Sequence, residues 1–222
     1  NEKLVIASAT DLRLFDILTG ASEQICQLES NNNSTRSNDG RADPYGGFWI
    51  GTMGLAAETH AGSIYRFFEG EIVKLFPNIT ISNSICFSPD KKFGYFCDTP
   101  ERKIMRVSLD QKGWPSSDPE VFIDLQETNL NPDGAVIDLS GYLWSAQWGA
   151  SRVARYDRNG CFVSELKFNA KQISCPAFGG KNMSTLFATS ASVDLDDASP
   201  NDGKTFLTEV DCVGQEEHRV II

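Results

Sequence analysis

Three short polar turns concentrate the residues of this chain best suited to chemistry: Arg36-Ser37-Asn38-Asp39-Gly40, Ile81-Ser82-Asn83-Ser84 and Asn131-Pro132-Asp133-Gly134. The carboxylate of Asp133 and the amide oxygen of Asn83 are hard donors, suited to Ca²⁺, Mg²⁺ or Mn²⁺, and Zn²⁺ also accepts them. Asp133 has oxygen to spare: it can ligate a cation and still take a proton from an attacking water. Arg36 offers a planar fork of donors and Asn38 both a donor and an acceptor, the mixture that polyol recognition needs. Only two histidines occur, His60 and His218. A histidine-rich zinc site is excluded, and a Ser-His-Asp triad would have to use one of these two. His60, between Thr59 and Ala61, reads as a solvated loop residue.

The elements that must position these turns form a repeat. Asp43-Pro44-Tyr45-Gly46-Gly47-Phe48-Trp49, Ser88-Pro89-Asp90-Lys91-Lys92-Phe93-Gly94-Tyr95, Asp138-Leu139-Ser140-Gly141-Tyr142-Leu143-Trp144 and the segment from Gly180 to Phe187 each deliver a strand-borne aromatic after a polar turn. Trp49, Tyr95, Trp144 and Phe187 stand 46, 49 and 43 residues apart, and Val5 lies 44 before Trp49. A second alternating strand is expected after each anchor, over 12–15, 63–67, 103–107, 152–156 and 205–210, with hairpin turns at 68–71 and 157–160. A multi-strand unit repeated at about 45 residues points to β-propeller blades in one all-β domain over 1–222. A β-sandwich would leave the regular spacing unexplained. Asn38 to Asn83 is 45 residues and Asn83 to Asp133 is 50, so these groups occupy matching places in consecutive blades.

The run from Arg36 to Pro44, Gly47-Phe48-Trp49-Ile50-Gly51-Thr52-Met53, Ser82-Asn83, Pro132-Asp133-Gly134 and Phe178-Gly179-Gly180-Lys181-Asn182, in this order, resembles the gluconolactonase/regucalcin (senescence marker protein) family. The resemblance implies a six-bladed propeller and a divalent cation, Ca²⁺ first among the candidates, held by a Glu, an Asn and an Asp. It also implies hydrolysis of a sugar lactone to the aldonic acid. By position, Asn83 and Asp133 correspond to metal ligands, Asp133 also to the catalytic carboxylate, and Arg36 with Asn38 to substrate contacts. The family's Gly-Glu-Gly-Pro segment, which carries the metal-binding Glu, has no counterpart here. With five anchors against six implied blades, the expectation is that about one N-terminal blade is missing. Glu58, in Gly54-Leu55-Ala56-Ala57-Glu58, would serve as the family's substrate-facing Glu only in a reshaped loop.

Bland readings stand beside these. Asn38-Asp39-Gly40 and Pro132-Asp133-Gly134 are also ordinary turn sequences. A calcium-binding propeller without turnover, or a propeller hydrolase acting on non-sugar lactones or esters, would use the same frame. Thirty acidic against twenty basic residues give a net charge of -10, which repels nucleic acid and anionic membranes. No apolar run reaches the roughly 18 residues of a membrane helix. The six cysteines form no paired framework and read as buried free thiols, and with no export signal the expected setting is the cytoplasm. Residues 198–205 fall short of a phosphate-binding loop, because they lead into a strand where a helix is required. Asp194-Leu195-Asp196-Asp197 lacks EF-hand spacing and reads as a solvated loop.

Overall fold

A computed structural model describes residues 3–222. These residues are all-β and form five blade sheets of a β-propeller, within each of which strands consecutive in sequence are hydrogen-bonded neighbours. The first sheet holds β1 (Lys3–Ala7), β2 (Asp11–Asp16) and β3 (Ser22–Gln27), and the second β4 (Thr35–Ala42), β5 (Phe48–Gly54), β6 (Gly62–Phe68) and β7 (Glu71–Ile79). The third holds β8 (Ser82–Phe87), β9 (Phe93–Asp98), β10 (Lys103–Ser108) and β11 (Glu120–Asp124). The fourth is β12 (Asn131–Ile137), β13 (Leu143–Trp148), β14 (Arg152–Tyr156) and β15 (Phe162–Lys167), and the fifth β16 (Gln172–Gly179), β17 (Thr185–Ala191) and β18 (Thr205–Glu209). The five alternating strands expected after the anchors are β2, β6, β10, β14 and β18. The blade number differs from the six that the resemblance implies: one blade consumes about 45 residues, and the described chain accommodates five.

The chain divides into two compact units, one of residues up to Ser82 together with His218–Ile222, the other Asn83–Glu217. In the first, Leu12, Leu28, Ile50, Tyr65 and Phe67 are buried together, with Val220 packed against them. The C-terminal residues are held by a hydrogen bond from the Ile221 amide to the Gly46 carbonyl at 2.8 Å. Gly46 has φ +94, and a Cβ there would lie 2.5 Å from Ile221 Cδ1, so both backbone and space demand glycine.

In the second unit the fourth sheet is covered on both faces. Ala135, Ile137, Leu143, Ala154 and Tyr156 join Cys86, Tyr95, Cys97, Ile104, Ile123 and Leu125 on one side. Val136, Trp144, Ala146 and Val153 meet Ala170, Ile173, Leu186 and Ala188 on the other. Neighbouring residues such as Leu143 and Trp144 therefore enter different cores, the direct result of period-2 alternation. Cys86 and Cys97 are buried free thiols as expected, but Cys161 is exposed and Cys26, Cys175 and Cys212 are half-buried. Cys161 directly follows the turn between β14 and β15, and its exposure, with the partial exposure of the other three, corrects the expectation of burial for these four residues.

The anchor aromatics have a structural partner. Trp49 lies directly opposite Arg66, Tyr95 opposite Arg106 and Trp144 opposite Arg155. In the second blade Arg66 Nε donates to Asp43 Oδ2 at 2.6 Å with both side chains fully buried. In the fourth, Asp138 Oδ2 accepts from Arg155 Nη2 at 2.9 Å and from Trp144 Nε1 at 3.1 Å. The third blade has Ser88 at this turn, a hydroxyl with no charge to offer. Arg106 there forks onto Glu120 instead, at 2.9 and 2.6 Å, and stacks on Phe93 and Phe122.

Candidate functional site

The first strands of the second and fourth blades break their regular pairing where candidate residues sit. In β4 the register runs Ser37 to Thr52 and then Gly40 to Ile50, which inserts one extra residue at Asn38-Asp39. In β12 it runs Pro132 to Gln147 and then Ala135 to Ser145, which inserts one at Asp133-Gly134. In β8 the residue after Asn83, Ser84, has φ 56, a left-handed conformation within a strand. Bulges of this kind re-aim a side chain away from the regular pleat. A further bulge at Ser174-Cys175 in β16 carries no residue singled out from the sequence. Its only sequence signal is its position, 41 residues after Asp133 and just before Pro176.

In the second unit, Asn83 and the bulge of Asp133 are brought together. Asn83 is buried, and its Nδ2 donates to Thr99 Oγ1 at 2.9 Å. Thr99 Oγ1 in turn donates to the Pro132 carbonyl at 2.8 Å, and Ser84 Oγ donates to the Asp133 carbonyl at 2.5 Å. Two consecutive carbonyls are thus pinned by hydroxyls from the neighbouring blade. Gly134 packs directly against the β16 bulge: a Cβ there would lie 2.7 Å from Cys175 Sγ and 2.9 Å from the Ser174 carbonyl. Asp133 itself is half-buried.

In the first unit, Arg36 is half-buried and Asn38 exposed. Arg36 Nη1 donates to Asn38 Oδ1 at 3.0 Å and to the Ser37 carbonyl at 2.9 Å, and Asn38 Nδ2 donates to the Ser82 carbonyl at 2.9 Å. Glu58 is exposed, and its Oε2 accepts from the Ala56 amide at 3.0 Å, which folds the carboxylate onto its own turn. His60 is exposed on the same loop.

Glu29 was not singled out from the sequence. Its Oε1 accepts from Tyr65 Oη at 2.6 Å and from Thr52 Oγ1 at 3.2 Å, and its Oε2 from Thr35 Oγ1. It holds φ 47 and clamps β4, β5 and β6 beside Arg36. Burial first, and then the Glu29 carboxylate, push the Tyr65 phenol far above its ordinary range. An isolated Glu in a loop gives no such signal, because its three hydroxyl partners lie 6, 23 and 36 residues away.

As a donor set, one amide oxygen and one carboxylate fit a hard divalent cation that fills its other positions with water or substrate oxygens. Among the described residues, no three of His, Cys, Asp and Glu gather into a metal-binding group, the acidic stretch 194–197 included. No helix among them is long and apolar enough to cross a membrane.

The family profile described as SMP-30/Gluconolactonase/LRE-like region matches residues 1–192. A protein of Rhizobium meliloti whose name marks it as a candidate sugar lactone lactonase is 45% identical over 82% of this chain and 64% of its own length. The L-arabinolactonase of Azospirillum brasilense is 35% identical over 93% of this chain and 70% of its own length. The crystal structure of regucalcin from Agrobacterium tumefaciens, described as a calcium-binding protein, aligns over 100% of this chain and 77% of that one, with TM-score 0.97 and 44% identity. The chain thus spans about two thirds to three quarters of the length of these relatives.

Proposed function

Since the chain belongs to the SMP-30/gluconolactonase/LRE-like family, we propose that it hydrolyses a sugar lactone to the corresponding aldonic acid. The observation that carries this reading is the network in the second unit that gathers Asn83 and the bulge of Asp133, with Thr99 Oγ1 and Ser84 Oγ between them. The names of the Rhizobium and Azospirillum relatives support it.

In this reading Asn83 and Asp133 would hold a divalent cation, Ca²⁺ first and Mg²⁺, Mn²⁺ or Zn²⁺ as alternatives. Such a cation supplies electrostatic stabilisation for the oxygen on which negative charge develops. Asp133 accepts the proton of the attacking water as the water oxygen bonds to the lactone carbonyl carbon. When the ring C–O bond breaks, that proton passes to the departing ring oxygen, leaving a hydroxyl and a carboxylic acid, which releases the second proton of the water to solvent and becomes the carboxylate. Arg36 and Asn38 bind and orient sugar hydroxyls, and the Arg36 to Asn38 hydrogen bond pre-arranges the pair. Glu58 would reach substrate only by releasing the Ala56 amide. The cytoplasm remains the proposed setting.

The experiment is a pH-stat assay of five- and six-membered aldonolactones, after chelation and after adding back each cation. Acid release above the spontaneous rate that depends on added cation supports the reading. No release with any sugar lactone, alongside tight Ca²⁺ binding, would favour a calcium-binding module, the role by which the Agrobacterium protein is described. Release from aryl esters alone would favour a non-sugar hydrolase.

A further inference from the structure

We propose that Thr99 is a positioning residue that decides which atom of Asn83 is presented for binding. Thr99 opens the short 3-10 turn Thr99–Glu101 at the end of β9, and its hydroxyl stands between two partners of unequal kind. The Pro132 carbonyl, 2.8 Å away, can only accept, so Thr99 must donate its single proton there. Toward Asn83, at 2.9 Å, the hydroxyl has only lone pairs left, and the amide must offer its nitrogen. A reversed amide would set oxygen against oxygen with no proton between them, an expensive contact for a buried group. The amide oxygen is thereby turned to the other branch of the side chain, as a ligand to a hard cation requires.

The same hydroxyl locks the partner strand. Its hydrogen bond to the Pro132 carbonyl ties the end of β9 to β12. The next carbonyl, that of Asp133, is held by Ser84 Oγ at 2.5 Å. Cys97 Sγ touches both Ser84 Oγ, at 3.5 Å, and the Pro132 carbonyl, at 3.8 Å, and fills the space between the pins. Thr99 thus couples the orientation of Asn83 to the bulge that aims Asp133. This inference rests on the reading of Asn83 as a cation ligand.

The test uses the purified protein with Thr99→Val, which keeps the shape and removes the hydroxyl, and Thr99→Ser, which keeps the hydroxyl. Without added metal, ¹⁵N NMR of the Asn83 side-chain amide is expected to change in Thr99→Val and to return to the parent signal in Thr99→Ser. In calorimetric titrations with Ca²⁺ and Mn²⁺, Thr99→Val should bind about tenfold or more weakly and Thr99→Ser close to normally, the size typical of residues that orient a metal ligand. Thr99→Ala makes the same comparison should the valine variant fail to fold by circular dichroism. An unchanged Asn83 amide signal in the hydroxyl-free variant overturns the proposal. So does unchanged cation affinity where Asn83→Ala has lost it. If Asn83→Ala itself binds both ions as the parent does, the ligand reading fails and the cation part of the proposal falls with it. In that case the NMR comparison alone upholds or overturns the orienting role of Thr99.

Discussion

Arg66 and Asp43, 23 residues apart, form an ion pair 2.6 Å long from which water is fully excluded. Asp43 Oδ1 also accepts from the Tyr45 amide at 2.8 Å and the Gly47 amide at 3.0 Å, so one carboxylate closes the turn and neutralises the arginine. Removing one member strands the other charge. Asp43→Ala should therefore lose about 3–5 kcal/mol of stability, against about 1 kcal/mol or less for breaking the more exposed Arg106–Glu120 pair with Glu120→Ala. Denaturant unfolding of the two variants checks this, and equal losses would refute it.

Asp133→Asn preserves the shape of its turn but removes the charge and the proton acceptor. Lactone turnover should fall about 100-fold or more while the melting temperature stays close to that of the parent. Turnover within a factor of a few of the parent would remove Asp133 from the chemistry.

Arg36→Ala and Asn38→Ala should each raise KM several-fold, with Ca²⁺ affinity largely kept, because these side chains are assigned to substrate and not to the cation. Their mutual hydrogen bond makes the two losses non-additive: the double variant should lose less than the sum of the single ones. Steady-state kinetics beside calorimetry decides it. Collapse of cation affinity in Asn38→Ala would show the roles exchanged.

Gly134→Ala forces a methyl group against Cys175 Sγ and the Ser174 backbone carbonyl. A cost of about 1–3 kcal/mol is expected, as for other overpacked sites. Adding Cys175→Ala should recover only part of it, since the carbonyl cannot retract as a side chain can. Full recovery, measured by chemical unfolding, would mean that the sulfur alone sets the constraint.

Burial pushes the Tyr95 phenol up to about 12, the charge of Cys86 acting in the same direction and that of Arg106 opposing it. Burial likewise pushes the Cys212 thiol up to about 11. In both cases the unfolded chain releases its proton first. Stability from these groups is therefore complete below about pH 9, and declines as pH climbs from there through 11 and 12. Thermal melts from pH 8 to 12 should show this fall, with a shallower slope in Tyr95→Phe. An identical slope in that variant would assign the alkaline loss to other groups.

The blades were legible in the sequence because alternation is local: a strand covered on one or both faces must place its apolar residues with period 2, and a repeated unit must repeat its turn. Trp49, Tyr95, Trp144 and the strands after them could be assigned on that ground alone. The spacing of Asn38, Asn83 and Asp133 was legible for the same reason, as a place within a repeat. What the tertiary structure decided is which groups touch. Thr99 and Pro132 are 33 residues apart and Glu29 and Tyr65 are 36 apart, and no local pattern marks either pair. Arg66 is buried and Arg106 reaches Glu120 although both lie opposite an anchor aromatic, because one blade closes its turn with Asp43 and the next with Ser88. Hydrogen bonds and ion pairs between distant segments depend on register and on single-residue bulges, and these emerge only when the strands are packed side by side.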